Sequence, residues 1–141
     1  IEKTCSSSYK MPKDTIKNHE ILSVHYYTPW EFCTTNQQKT WGTKDEVALL
    51  HSKINQIYKK YTKKKIPVII GEYGFGQNQK ASCIYFSESL VQYCYQHHIA
   101  TFLWDNGEQY DRTKMKWKIK GLSAALQKAV SGKKYKVVKK K

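Results

Sequence analysis

Arginine is almost missing from this 141-residue chain: Arg112 stands alone beside 24 lysines. The planar guanidinium fork is the usual reader of phosphates and base edges. Its scarcity joins the lack of zinc-finger spacing, of an RNP-like aromatic motif and of a phosphate-cradling Gly loop. Together these argue against nucleic acid as a partner, despite a formal net charge of +14. Gly71, Gly74 and Gly76 do not make a dinucleotide fingerprint, which has different spacing and must open a helix. No apolar run approaches the roughly 20 residues needed to cross a bilayer, so no membrane partner is expected. The four cysteines, Cys5, Cys33, Cys83 and Cys94, never fall in a CxxC pair, which argues against a metal site built on that spacing. Disulfides of a secreted protein and buried free thiols both fit them. His97-His98 falls at a predicted helix end and reads as capping or solvated, not as metal-ligating.

What is present is ordinary for a folded domain: 40% hydrophobic and 26% charged residues. The lysines gather in Lys63-Lys64-Lys65, in alternating Lys114, Lys116, Lys118 and Lys120, and in a tail from Lys133 to Lys141. The reading is a domain over 1–132 followed by a Lys-rich, disordered tail over 133–141.

Three apolar segments read as strands. Val68-Ile69-Ile70 is the short continuous run expected of a parallel strand covered on both faces, and it delivers Glu72 between Gly71 and Gly74. Glu20 to Trp30 reads as an earlier strand, with His25 and Tyr27 two apart and so on one face. Ile99 to Leu103 is the third and runs into Trp104-Asp105-Asn106-Gly107. Helical spacing fills the gaps. Val47, Leu50, Ile54, Ile57, Tyr58 and Tyr61 mark a helix from about Lys44 to Tyr61, with Thr43 and Glu46 as its capping box. Tyr85 or Phe86, Leu90, Cys94 and Tyr95 mark another from about Ser82 to His97. Ile119, Leu122, Leu126 and Ala129 or Val130 stripe a third, which Gly132 stops. The order strand, helix, strand, helix, strand, helix predicts right-handed parallel crossovers in an α/β fold. Glu72 then stands at the carboxyl end of the sheet, where such folds keep their chemistry.

These segments resemble the carboxyl-terminal part of the cellulase-like glycoside hydrolases of family 5. The likeness rests on Val24-His25-Tyr26-Tyr27-Thr28-Pro29-Trp30-Glu31-Phe32, on Trp41-Gly42-Thr43, on Pro67 to Gly74 and on Leu103-Trp104-Asp105-Asn106-Gly107. Asp111-Arg112 to Trp117 is similar to the run into the family's last helix. Lys3-Thr4-Cys5 and Lys10 to Ile16, with Asp14 among them, are similar to the loop after its fifth strand. The resemblance implies a TIM (β/α)8 barrel, of which this chain holds about strands six to eight. It implies retaining hydrolysis of a β-1,4-linked plant polysaccharide such as cellulose, in the extracellular space, with no cofactor and no metal. It makes Glu72 the nucleophile, with His25 and Tyr27 beside it. Trp104 becomes the sugar platform and Asn106 lines the cleft; Trp41 and Trp30 are expected to extend the platform, with core packing beside Pro29 as the equal alternative for Trp30.

One part of the family's machinery is not matched. The acid/base of the family is a Glu in an Asn-Glu-Pro stretch, and Glu20, Glu31, Glu46, Glu88 and Glu108 each lack that context. A barrel also takes about 250 residues, and the sequence opens on Ile1 instead of Met. The expectation is a carboxyl-terminal portion of a longer enzyme whose amino-terminal barrel half is its partner, together with a β-linked polysaccharide or oligosaccharide. The alternatives are a catalytically inactive carbohydrate-binding remnant and, further off, a basic nucleic-acid-binding protein.

Overall fold

The computed structural model describes residues 1–13, 15–16 and 18–140; Asp14 of the opening segment and Lys141 of the tail lie outside the described residues. In chain order the elements are α1 (Glu2–Cys5), β1 (Leu22–Tyr26), α2 (Trp30–Cys33), α3 (Lys44–Lys60), β2 (Val68–Tyr73), α4 (Lys80–Gln96) and β3 (Ala100–Leu103). Two short strands, β4 (Tyr110–Asp111) and β5 (Lys116–Trp117), and a last helix, α5 (Leu122–Ala129), follow. The central sheet has the order β1-β2-β3 with both pairings parallel. Helices α3 and α4 are its crossovers, as the alternating pattern predicts. The β4-β5 hairpin is an addition that sequence patterning misses, because each strand is two residues long.

The crossover helices form where their sequence is most consistent. Thr43 Oγ1 accepts from the Glu46 N–H, and the Glu46 carboxylate accepts from the Thr43 N–H at 2.8 Å, closing the capping box at the start of α3. Glu46 also takes the Gly42 N–H at 2.9 Å and the Gln38 amide, so one carboxylate ties the preceding loop to the helix. Leu50, Ile54 and Ile57 are fully buried and join Val24, Tyr26, Ile70, Phe86 and Leu90 in one core. Cys33, Cys83 and Cys94 are free thiols inside it, and burial pushes Cys83 up to about 11. They behave as small apolar side chains.

Helix α4 is buried more completely than its stripe predicts. Ser87, Glu88 and Ser89 are buried as well, while Tyr95, expected on the core face, is 45% exposed. The cause is that α4 is covered on several sides, by the sheet, by α5 and by the Lys-rich tail. Among its described residues that tail carries no helix or strand, yet the Tyr135 hydroxyl donates to Glu88 Oε1 at 2.8 Å.

Helices cover only one face of the sheet. Leu22, Val24 and Tyr26 are buried, whereas Ser23 and His25, which alternate with them, are exposed. The two-faced cover expected of Val68-Ile69-Ile70 fails for the same reason, since Ile69 is only half-buried between the buried Val68 and Ile70, and on β3 Phe102 is 54% exposed. Among the described residues nothing packs on this second face, and β1 and β3 are both edge strands.

This asymmetry has a measurable consequence. Ile54→Ala should cost about 2–5 kcal/mol, the range for a fully buried large-to-small change. Phe102→Ala should stay within about 0.5 kcal/mol, as at an exposed position. Urea unfolding of the chain and both variants decides it, and a comparable loss for Phe102→Ala would show that its face is covered in solution.

Candidate active site

The site begins with one irregularity in β2. Val24 pairs with Ile70, but the next residue of β1, His25, pairs with Glu72. Gly71 is therefore the extra residue of a β-bulge. Without it, Glu72 would sit opposite Tyr26 and turn toward the helices. With it, Tyr73 pairs with Tyr26 on the buried face, and Glu72 shares the open face with His25. A Cβ on Gly71 would meet Ser23 Oγ on the neighbouring strand, so a larger residue here would have to turn that hydroxyl away.

The bulge brings three side chains together as the sequence predicts. Tyr27 donates its hydroxyl to Glu72 Oε2 at 3.1 Å, and His25 Nδ1 lies 3.2 Å from the same oxygen. Burial raises the Tyr27 pKa, and the hydrogen bond to Glu72 and its charge raise it further, to about 12. The phenol therefore stays protonated and acts as a donor at neutral pH and well above it. A carboxylate held by two donors through one oxygen is suited to nucleophilic attack, since the donors fix its orientation.

Beside the carboxylate lies a cleft of about 270 Å³, and Tyr27 belongs to both. Trp30, Trp104 and Asn106 line it, as expected. The two indoles are 56% and 54% exposed, so their faces are available to a ligand. Trp30 opens α2 after the cis Thr28–Pro29 peptide, and its ring meets Tyr27 edge-on at 6.5 Å. The Trp104 N–H donates to Tyr73 O at 2.8 Å, which fixes its backbone to the end of β2. Asp105 shapes the loop that follows. Burial opposes its ionisation, but the N–H groups of Gln109, Tyr110 and Gly107 and the Arg112 guanidinium outweigh that and lower its pKa. The Arg112 pair measures 3.0 Å. This loop carries Asn106 into the cleft.

Trp41 is a correction. It is 2% exposed and packs against Tyr85 at 5.5 Å and Phe86 at 5.2 Å between ring centroids. Buried in that aromatic cluster, it offers no face to a sugar. In its place the cleft has residues that sequence reasoning missed: Asn36, Glu108 and Gln109. Gln109 is buried and donates to Phe75 O at 3.1 Å, bridging two loops of the rim. Asn36 presses its amide on Gly76, where any Cβ would collide with it. Glu108 and Gln109 sit in the loop after β3, and Asn36 sits in the loop after α2. Position alone was the only signal.

The two-donor geometry sets an expected titration. Glu72→Gln removes the charge that holds the Tyr27 proton, so the phenol pKa should fall from about 12 toward its ordinary value of 10.0. Burial persists in the variant, so the fall stops short of that value. Phenolate absorbance, taken as the difference from the matching Tyr27→Phe protein, reads the midpoint. An unchanged midpoint would mean that Glu72 does not face Tyr27.

Comparison with known proteins bears on the family and the fold. The family model for cellulase (glycosyl hydrolase family 5) matches residues 2–110. Endoglucanase B of Paenibacillus lautus is 33% identical over 104 residues, 69% of this chain and 18% of that protein. The crystal structure of a tri-modular family 5 (subfamily 4) endo-β-1,4-glucanase from Bacillus licheniformis superposes with a TM-score of 0.81. It is 30% identical, over 89% of this chain and 25% of that one. A broad specificity endoglucanase from an uncultured bovine rumen ciliate gives 0.83 at 26% identity, over 93% of this chain and 44% of its own. The chain thus spans less than half of each of these proteins. It belongs to glycosyl hydrolase family 5, and its three parallel strands with their helices are part of that family's (β/α)8 barrel.

Proposed function

We infer that this chain supplies the nucleophile side of a retaining glycosidase that cleaves β-1,4-linked glucan outside the cell. The observation that carries the reading is the convergence of Tyr27 and His25 on one oxygen of Glu72, beside a cleft walled by Trp30 and Trp104. In the proposed reaction Glu72 attacks the anomeric carbon, the bond to the leaving sugar breaks, and a glycosyl ester forms on the carboxylate. Water then hydrolyses that ester. Tyr27 and His25 are positioning donors: they hold the carboxylate along the line of attack. The indole faces of Trp104 and Trp30 suit the C–H faces of pyranose rings, and Asn106 takes a hydroxyl.

Departure of the leaving oxygen needs a proton, from a second carboxylate about 5–5.5 Å from the first. None of this chain's glutamates has the Asn-Glu-Pro context of the family's acid/base. The uncovered sheet face and the two edge strands support the same division of labour, in which further barrel strands bring the acid and close the sheet. The Bacillus licheniformis relative, whose structure complexed with cellotetraose superposes at a TM-score of 0.79, supports a glucan as the first substrate to try.

A leaving group that needs little protonation separates the two halves of this chemistry. The chain should release dinitrophenol slowly from dinitrophenyl β-cellobioside, and Glu72→Gln should abolish the release. On unactivated β-glucan the missing proton should cost a further 10²–10⁴-fold, about the worth of general acid catalysis. Efficient cleavage of unactivated glucan by the 141-residue chain would overturn the division, since another carboxylate would then be acting as the acid. In parallel, cellotetraose should quench tryptophan fluorescence, and Trp104→Ala should remove most of that response. A Trp104→Ala protein that responds like the parent would place the sugar elsewhere.

A further inference from the structure

The cleft does not account for the lysine excess. A second cavity of about 700 Å³ does use part of it, at the opposite end of the sheet from Glu72. It opens where α4 ends and the chain turns into β3, and its lining includes Tyr95, Gln96, His98, Lys133, Lys134 and Lys136. The three lysines come from the tail and are held in place there. Tyr135, which stands between Lys134 and Lys136, accepts at its carbonyl from Gln92 Nε2 at 3.0 Å. Its hydroxyl donates to the buried Glu88, and Lys128 Nζ lies 3.9 Å over its ring. This anchoring makes a fixed wall of cations from a segment whose composition suggests a free polycation.

The lining has a definite chemistry. The Tyr95 ring is 45% exposed and gives a flat apolar face. The Gln96 carboxamide and the His98 imidazole both donate and accept. The lysines add compact point charges. A flat ring, hydroxyl-matching polar groups and ammonium groups together match a sugar chain that bears carboxylates. They match a nucleic acid less well, because the lining has no guanidinium, and of its two tyrosines Tyr135 is already engaged, its hydroxyl by Glu88 and its ring by Lys128. We propose that this cavity is a second polysaccharide-binding site, selective for acidic, uronate-bearing chains and separate from the cleft. Tyr95 stacks on a pyranose ring there, and Lys133, Lys134 and Lys136 pair with its carboxylates. Such a contact would tether the protein to material in which acidic chains lie beside the glucan, which raises the effective concentration of substrate at the cleft. The site stands whatever the cleft hydrolyses.

Affinity electrophoresis of the whole chain through gels containing polygalacturonate, at physiological salt, tests the proposal. The chain should be retarded by polygalacturonate and much less by neutral hydroxyethylcellulose. The combined Lys133→Gln, Lys134→Gln and Lys136→Gln variant and, separately, Tyr95→Ala should each weaken binding about tenfold. All four positions are exposed, and circular dichroism checks that the fold persists. Removing the same charge elsewhere, by Lys63→Gln, Lys64→Gln and Lys65→Gln, should change affinity less than about twofold. Three results would overturn the proposal: equal losses from the two lysine triples, which would mean diffuse attraction; an unaffected Tyr95→Ala; or no retardation at all. Tighter binding to oligothymidylate than to polygalacturonate would also overturn it, in favour of a nucleic-acid site.

Discussion

The extra residue in β2 is the constraint on which the site depends. A parallel sheet puts paired residues on the same face, so a regular register would leave Glu72 opposite the buried Tyr26. The Gly71 bulge moves Glu72 one place along, opposite His25, and restores Tyr73 to the core opposite Tyr26. The bulge thereby serves two ends, a sealed hydrophobic layer against the helices and a carboxylate on the other side. A side chain larger than glycine at position 71 would have to displace the Ser23 hydroxyl. Everything else at the rim refers back to this register. Tyr27 and His25 reach Glu72 because of it, and Trp104 is fixed by the Tyr73 carbonyl just beyond it.

The three-part site was legible in the sequence because its signals are local. Val68-Ile69-Ile70 marks a buried strand, the flanking glycines mark its end, and the two-residue spacing of His25 and Tyr27 puts them on one face. The bulge itself was not legible, since register depends on a partner strand. Trp41 misled for a related reason. An aromatic beside Gly42 looks like a rim residue, but its burial is decided by Tyr85 and Phe86 from a helix 40 residues further on. The burial of Glu88 depends in the same way on distant partners, Tyr135 and Lys128. The capping box of α3, complete within four residues, was read correctly down to the atoms.

Charge in this molecule is less diffuse than its total suggests. Lys60 donates to the carbonyls of Thr4 and Ser6 at 3.0 and 2.6 Å, fastening the amino-terminal segment to α3. Lys53 pairs with Glu2 at 2.7 Å and makes a second tie between the same elements. Lys128 leans on Tyr135. Such lysines act as structural cations, and their stems cover apolar surface while their heads satisfy backbone oxygens. The uncovered face of the sheet is the opposite case. Phe102 is exposed there with no internal compensation, and an apolar face of that kind calls for something to cover it. The family's closed barrel, in which the remaining strands would do so, gives the open edges their physical sense.

The central claim is that Glu72 is the attacking carboxylate. Trapping tests it most directly. A dinitrophenyl β-cellobioside carrying fluorine in place of the hydroxyl beside the anomeric carbon forms its glycosyl ester and then hydrolyses very slowly. Peptide mass mapping of the treated protein should find the fluoro-sugar on the fragment containing Glu72, and no label on the Glu72→Gln variant. A label on Glu108, on any other carboxylate, or equal labelling of the variant would contradict the account.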